Sequence, residues 1–425
     1  MAHTPPTSRA VDADDQSGTL SPVAGRRLLP SLTVAWFVLF AAYLGLTSVL
    51  LPNHMAIIDE ENKVANFAIV TTVASIIAMF SQPIVGALSD RTRSRLGRRA
   101  PWMLGGALLG AVALLVLGSL QDIFLITIIW AVMLVSLNAM QGPLSAITPD
   151  RFPRSRRGVA STAVGIGTLA GATLGVVLAG RIAADVGIGY AVFGGTVFVV
   201  TVAFILLNRD RSSVGAVFPA FRWRTFLAGF WVNPRKHPDF AWAFVARFLF
   251  ILGYFLVFTY QLFILTDFVG MPLAEANIQV GVLSMAAFVT TLVSVSVAGW
   301  VSDRLKRRKA FIYLASAIMM IGLLVPLAMP NMTGMLLMFT IKGFGYGLYM
   351  ACDTALMTEV LPGGGTSAAK DLGILNIATN IPQALSPAVA AIIIGGLGGY
   401  QALFVVAAVC IGLAALALLP IRSVR

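Results

Sequence analysis

Residues 64–88 read VANFAIVTTVASIIAMFSQPIVGAL, and residues 89–101 read SDRTRSRLGRRAP. The first stretch is free of charged residues and long enough, at 1.5 Å of rise per residue, to cross a hydrocarbon core of roughly 30 Å as a helix. The second holds Asp90 and the arginines 91, 93, 95, 98 and 99. An apolar helix that runs straight into a basic loop leaves lipid on the side where Lys and Arg accumulate.

The same alternation extends in both directions. Further apolar blocks run from Thr33 to Leu51, Pro101 to Leu120, Ile123 to Ile147, Val159 to Ile182 and Val186 to Leu207. After a polar gap they resume from Phe240 to Phe268, Ile278 to Val301, Ala310 to Ala328, Met332 to Met357, Leu372 to Leu397 and Tyr400 to Leu419. Only 11% of the 425 residues are charged and 58% are hydrophobic, whereas soluble chains carry about 25% charge. The fold expected is an all-α membrane protein of twelve transmembrane helices.

A net charge of +12 could point to nucleic acid, but its placement argues against that partner. Of the 30 basic residues, 26 fall in alternate loops and in the termini, as the positive-inside rule requires of a multi-pass protein of the inner (plasma) membrane. Both termini are therefore expected in the cytosol. The domains expected are a disordered cytosolic tail (1–30), an N-terminal six-helix bundle (31–207), a cytosolic linker (208–239), a C-terminal six-helix bundle (240–421) and a short tail (422–425). Membrane lipid is the solvent, and a monomer is expected.

Two landmarks recur between the halves. Gly86-Ala-Leu-Ser-Asp90-Arg91 matches Gly299-Trp-Val-Ser-Asp303-Arg304 at an offset of 213, and Asp150 with Pro153 matches Glu359 with Pro362 at an offset of 209. A parallel six-plus-six duplication makes two pseudo-symmetric bundles that can rock about a shared midplane site. The function that follows is carriage of a small-molecule substrate across the membrane, and no enzyme activity is expected.

The motif Gly86-x-x-x-Asp90-Arg91 with Gly97-Arg98-Arg99 resembles the loop motif of the major facilitator superfamily, and Gly299, Asp303 and Arg304 resemble its second copy. The longer form, from Ser89 to Trp102, is similar to that of glycoside-pentoside-hexuronide transporters and sucrose symporters. This resemblance implies a sugar or glycoside as substrate, with these residues as a gate. It also implies a latch, Asp90 docking on the start of the eleventh helix near Ser367 to Lys370 and Asp303 near Arg157-Gly158, each at a helix N-terminus whose dipole favours an anion. Melibiose-type members carry aspartates inside the second and fourth helices. Here those spans offer Ser75, Gln82, Asn138 and Gln141 instead, which departs from sodium coupling by that route.

Ionisable residues inside a span are costly and by default functional. Lys342, Tyr346, Tyr349 and Asp353 are spaced by 4, 3 and 4, so they share one helical face, which is expected to line a cavity. Arg247 lies at a depth similar to Asp353, and the two are expected to form a buried pair across the seventh and tenth helices. The competing expectation is that Arg247 snorkels alone to the headgroups. Asp353 is the candidate for proton coupling. Gln261 extends a stripe with Tyr254 and Phe258, while Asn376, Asn380 and Gln383 form another, and Asn138 and Gln141 face together. Amides flanked by rings suit a polyhydroxyl solute, although such amides also bond helix to helix. Gly167, Gly171 and Gly175 form a ridge suited to close helix packing.

A Gly-Lys phosphate loop is missing, since Gly363-Gly364-Gly365 leads only to Lys370, so the chain should not use ATP itself. No cofactor is expected, His3, His54 and His237 are too scattered for a metal site, and Cys352 and Cys410 imply no disulfide framework. The reading is a secondary active transporter for a small polar solute, a sugar or glycoside moved with protons by rocker-switch alternating access. Its alternative is an efflux carrier of the same fold for amphipathic compounds, working by proton antiport.

Overall fold

A computed structural model describes residues 22–210, 212–214, 237–305, 308–360 and 368–421. They form twelve helices long and apolar enough to span a membrane. Helix α1 (Pro22–Gly45) continues through a π-helical turn, Leu46–Leu50, into Leu51–Ile58, and α2 (Lys63–Met79) is carried on past Phe80 by Ser81–Ser89. The N-terminal half is completed by α3 (Ala100–Leu117), α4 (Ile123–Arg151), α5 (Arg157–Ile182) and α6 (Val186–Leu207). The second half holds α7 (Pro238–Thr259), α8 (Leu273–Leu305), α9 (Arg308–Ala328), α10 (Met332–Val360), α11 (Ala368–Gly396) and α12 (Gly399–Leu416). A second π-helical turn, Ile264–Phe268, follows α7, the counterpart of the one in α1.

The neighbours of each helix repeat between halves. In the first, α1 packs on α5 and α6, α4 on α2 and α3, and α3 on α6; in the second, α7 packs on α11 and α12, α10 on α8 and α9, and α9 on α12. The halves meet through α2 against α11 and α5 against α8, two interfaces exchanged by the same relation. This is the pseudo-twofold arrangement implied by the duplicated landmarks.

Two boundaries differ from expectation. The first helix already begins at Pro22, inside the stretch expected as tail, because a proline is compatible with a helix's first turn and needs no hydrogen bond there. It also runs to Ile58, beyond Leu51, which brings His54 into a span. Its ring is buried, with Nε2 3.1 Å from the Leu120 carbonyl and Nδ1 3.3 Å from the Tyr190 hydroxyl. A polar residue at the helix end is retained because the loop after α3 and the hydroxyl of Tyr190 on α6 partner both ring nitrogens.

Helix ends are capped where the loops are short. Asp122 and Asp185 accept from the backbone N–H groups of Leu125 and Ile188, both at 2.9 Å, each satisfying an orphan donor of α4 or α6. In the arginine-rich loop Gly97 has φ +88°, and a Cβ there would run into the Asp210 side chain. Arg151 reaches the same Asp210 at 2.9 Å, and the Ser213 hydroxyl donates to the Thr92 carbonyl at 2.8 Å. The start of the expected linker is thus bound to the N-terminal half.

The glycine ridge faces within a half. Cβ atoms added at Gly167, Gly171 and Gly175 would strike the backbone carbonyls of Thr33, Phe37 and Ala41 in α1. Those glycines seat α5 on α1, as their spacing leads one to expect.

Candidate functional site

Between the halves lies a cavity of about 580 Å³. From the first half it is walled by Phe40 and Tyr43 of α1 and Thr47 of the π-helical turn that follows, Ser75 of α2 and Gln82 of its continuation, and Asn138 and Gln141 of α4. The second half adds Tyr254 and Phe258 of α7, Phe339 and Tyr346 of α10, and Asn380 and Gln383 of α11. No Asp, Glu, Lys or Arg lines it among the described residues. The wall therefore combines neutral donors and acceptors with ring faces, in a volume within the range of small-molecule sites.

The rings are ordered by stacking. Tyr254 lies on Tyr346 with centroids 4.3 Å apart, and Tyr254 on Phe258 at 5.7 Å. Across the cavity Trp36 stacks on Phe40 at 5.7 Å, and Phe40 meets Tyr43 at 5.8 Å. The Asn138 amide donates to the Leu134 carbonyl one turn back at 3.0 Å, which leaves its carbonyl oxygen available.

Among the residues singled out in the sequence, Asn138, Gln141, Tyr346, Asn380 and Gln383 share this cavity. Lys342, Tyr349 and Gln261 do not line it. Lys342 is fully buried beside Phe339, Tyr254 and Phe258; helical phase chose the face correctly but could not show that rings from α7 cover the amine. Tyr349 is stacked on Phe250, with centroids 3.5 Å apart, and is spent on packing α10 against α7. Gln261 falls where α7 breaks, beyond the regular helical phase that its stripe assumes, and is fully buried away from the cavity. The Asn376 side chain lies outside the described residues.

Arg247 Nη1 is 3.0 Å from Asp353 Oδ2, with the two side chains 12% and 5% exposed. The Tyr349 hydroxyl donates to Asp353 Oδ1 at 2.8 Å, and Arg247 Nε donates to the Thr379 hydroxyl at 3.1 Å. This network ties α7, α10 and α11 together outside the cavity wall.

At the loop motif, Asp90 pairs within its own half. Arg99 is 3.1 Å from Asp90 and 2.5 Å from Asp150, while Arg98 is 2.8 Å from Asp150. Arg91 donates to the Ala87 carbonyl at 2.9 Å, and Gly86 lies where nothing would meet a Cβ. Asp90 is thus held by Arg99 in this structure. Ser367 and the side chains from Ala368 to Lys370, its expected partner segment, lie outside the described residues, as does the side chain of Asp303 beside Gly299, and Arg304 is exposed.

The end of the bundle opposite the arginine loop carries contacts the sequence did not reveal. Lys63 Nζ donates to Asp267 Oδ1 at 2.6 Å, and the Tyr400 hydroxyl donates to Asp267 Oδ2 at 2.7 Å. Asn277 donates to Asn53 at 2.7 Å, and Tyr260 to the Val64 carbonyl at 3.3 Å. Three of these links cross between halves. Nearby, the Asn62 backbone N–H donates to Asp59, which holds that carboxyl below its ordinary pKa and fixes the turn before Lys63. A lone Lys opening one apolar block and a lone Asp closing another were the available signal. Lys63→Ala is expected to weaken the closed end by about 1–3 kcal/mol, the scale of a charge-assisted hydrogen bond. In a background without Cys352 and Cys410, faster maleimide labelling of a cysteine at the buried position Ala276 would report it; an unchanged rate would mean that the pair does not hold this end shut.

A family model described as Major Facilitator Superfamily matches residues 35–369 and 276–425. The chain is similar, at 60% identity over 37 residues, to an uncharacterized symporter of Synechocystis sp. (strain ATCC 27184 / PCC 6803 / Kazusa), covering 9% of this chain and 7% of that protein. It is 43% identical over 58 residues to the general alpha-glucoside permease of Schizosaccharomyces pombe, covering 14% of this chain and 10% of that protein. These matches span only a small part of the relatives' lengths. Among solved structures, the nucleoside transporter NupG aligns with TM-score 0.72 at 14% identity, covering 93% of this chain and 98% of that one. The D-xylose-proton symporter aligns with TM-score 0.66 at 14% identity, covering 92% and 97%. An inward-facing, unoccupied bacterial homolog of the human lysosomal transporter Spinster aligns with TM-score 0.69 at 15% identity, covering 95% and 99%.

Proposed function

The chain belongs to the Major Facilitator Superfamily and is a multi-pass transporter of the plasma membrane, and from that premise we propose that it takes up a sugar or glycoside with protons by rocker-switch alternating access. The observation that carries this reading is the wall of the central cavity, where amides and hydroxyls from both halves stand between aromatic faces with no formal charge among the described lining residues. A polyhydroxyl solute needs groups that both donate and accept, and its apolar C–H faces stack on rings. The glucoside permease and D-xylose symporter likenesses support the same class.

Both termini and the arginine loops lie on the cytosolic side in this proposal, by the positive-inside rule. The end closed by Lys63 and Asp267 is then the outer one. The N-terminal bundle spans 31–207 and the C-terminal bundle 240–421, joined by 208–239. The motif from Gly86 to Arg99 and its copy at Gly299 to Arg304 form the cytosolic gate, Asp353 carries the coupling proton, and the working unit is a monomer. Protonation of Asp353 would remove the charge that holds Arg247 and so loosen α7 from α10.

A thermal-shift screen of the purified protein against pentoses, hexoses, disaccharides, aryl glycosides and amphipathic cations tests the substrate class. Carbohydrate is expected to stabilise it, and Gln141→Ala or Asn380→Ala to weaken that binding by about 1–2 kcal/mol through loss of one hydrogen-bonding group. Stabilisation by amphipathic cations alone would replace uptake with the efflux alternative, which the rings of Phe255, Phe258, Phe288 and Phe339 would then serve.

A further inference from the structure

Lys342 is fully buried, and its Nζ has neither a hydrogen-bond partner nor a counter-ion among the described residues. Its surroundings are rings instead, with Nζ 4.1 Å from the centroid of Phe339, 4.8 Å from Tyr254 and 5.6 Å from Phe258. All three of those rings line the central cavity, whereas Lys342 does not. The amine therefore reaches the cavity only through one layer of aromatic wall.

A cation placed here has a cost that methionine or leucine of similar volume would avoid. The other buried charges of this half do not offset it. Arg247 and Asp353 are paired with each other at 3.0 Å, and among the described residues the other titratable groups on this face, Tyr254, Tyr346 and Tyr349, are phenols. Salt cannot screen the amine from behind the rings, and in a medium of low polarizability its field extends well past one ring thickness. Among the described residues the three rings are the one stabilising environment an ammonium has here, and rings that serve it offer less attraction to a second cation on the cavity side.

We infer that Lys342, when protonated, is a charge filter acting through the aromatic wall, which excludes cationic solutes from the cavity and admits neutral or carboxylate-bearing ones. It touches no solute and is a positioning residue for the field in the cavity. This narrows the substrate class of the proposed carrier and rests on the cavity being its transport site.

Two matched ligand pairs test it, each differing only by tert-butyl against trimethylammonium. One pair is carried on an aryl glucoside and the other on a sugar-free aryl amphiphile, and Kd is measured with the full chain in detergent. The wild type is expected to prefer the neutral member of a pair by on the order of tenfold. Lys342→Met should bring the two within about twofold while leaving the Kd of the neutral member unchanged, which a merely structural role would not do; Lys342→Gln replaces it should that variant fail to fold. Equal affinity for both members in the wild type, or the same preference in wild type and variant, overturns the filter. If only the sugar-free pair binds and the variant still loses discrimination, the filter stands and the carbohydrate reading falls.

Discussion

Asp353→Ala should lower the stability of the folded protein by about 3–5 kcal/mol, and Arg247→Ala should cost a similar amount, whereas the double variant should lose less than the two together. The reason is what each single change leaves behind. Without Asp353, the Arg247 guanidinium, 12% exposed, keeps the Thr379 hydroxyl but loses its counter-ion. Without Arg247, the Asp353 carboxylate retains only the Tyr349 hydroxyl among the described residues. Removing both deletes two charges from a low-dielectric site, so the coupling energy is what the cycle isolates. Denaturant unfolding of the four proteins in one detergent gives it directly; additive losses would mean that the 3.0 Å approach contributes nothing of its own. Asp353→Asn keeps the shape and separates stability from transport. It is expected to abolish pH-driven accumulation in proteoliposomes while substrate exchange continues, and uphill accumulation that survived would remove Asp353 from the coupling role.

Gly171→Val should be nearly as damaging, by about 3 kcal/mol or more, through overpacking. A Cβ at this position would overlap the Phe37 carbonyl, and the obstructing atoms are backbone. A rotamer change cannot relieve such a clash, so α5 would have to move off α1. That movement would also lift Gly167 and Gly175 from Thr33 and Ala41, because one rigid helix carries all three glycines. The same substitution at Gly165, where nothing lies within 4 Å of an added Cβ, should leave stability nearly unchanged. Folded yield by size-exclusion chromatography and the thermal midpoint distinguish the two sites, and equal behaviour would mean that α1 and α5 are less tightly seated than the structure has them.

Parts of the site are legible in the order of residues alone. Helical spacing puts Tyr346 on the face it uses, and it puts Asn138 with Gln141 and Asn380 with Gln383 on shared faces that all reach one cavity. Matching depths in antiparallel helices bring Arg247 opposite Asp353. The same reasoning misplaces Gln261, because a break at Tyr260 and a π-helical turn change the phase beyond α7. It also passes over Lys63, Asp267 and Tyr400, which come from three separate helical segments and acquire meaning only on meeting.

By itself the sequence determined the twelve spans, their duplication and the asymmetry of charge between the two sides. These are one-dimensional properties, since lipid requires each crossing segment to satisfy its own backbone within the segment. Tertiary structure alone decided which faces meet. Whether Lys342 points into the cavity or behind its rings, and whether Asp90 pairs with Arg99 or with the other half, depends on the rotation and separation of neighbouring helices. Those are settled by groups far apart in the chain, such as the glycines of α5 against the carbonyls of α1, and by the rings of α7 that cover the amine on α10.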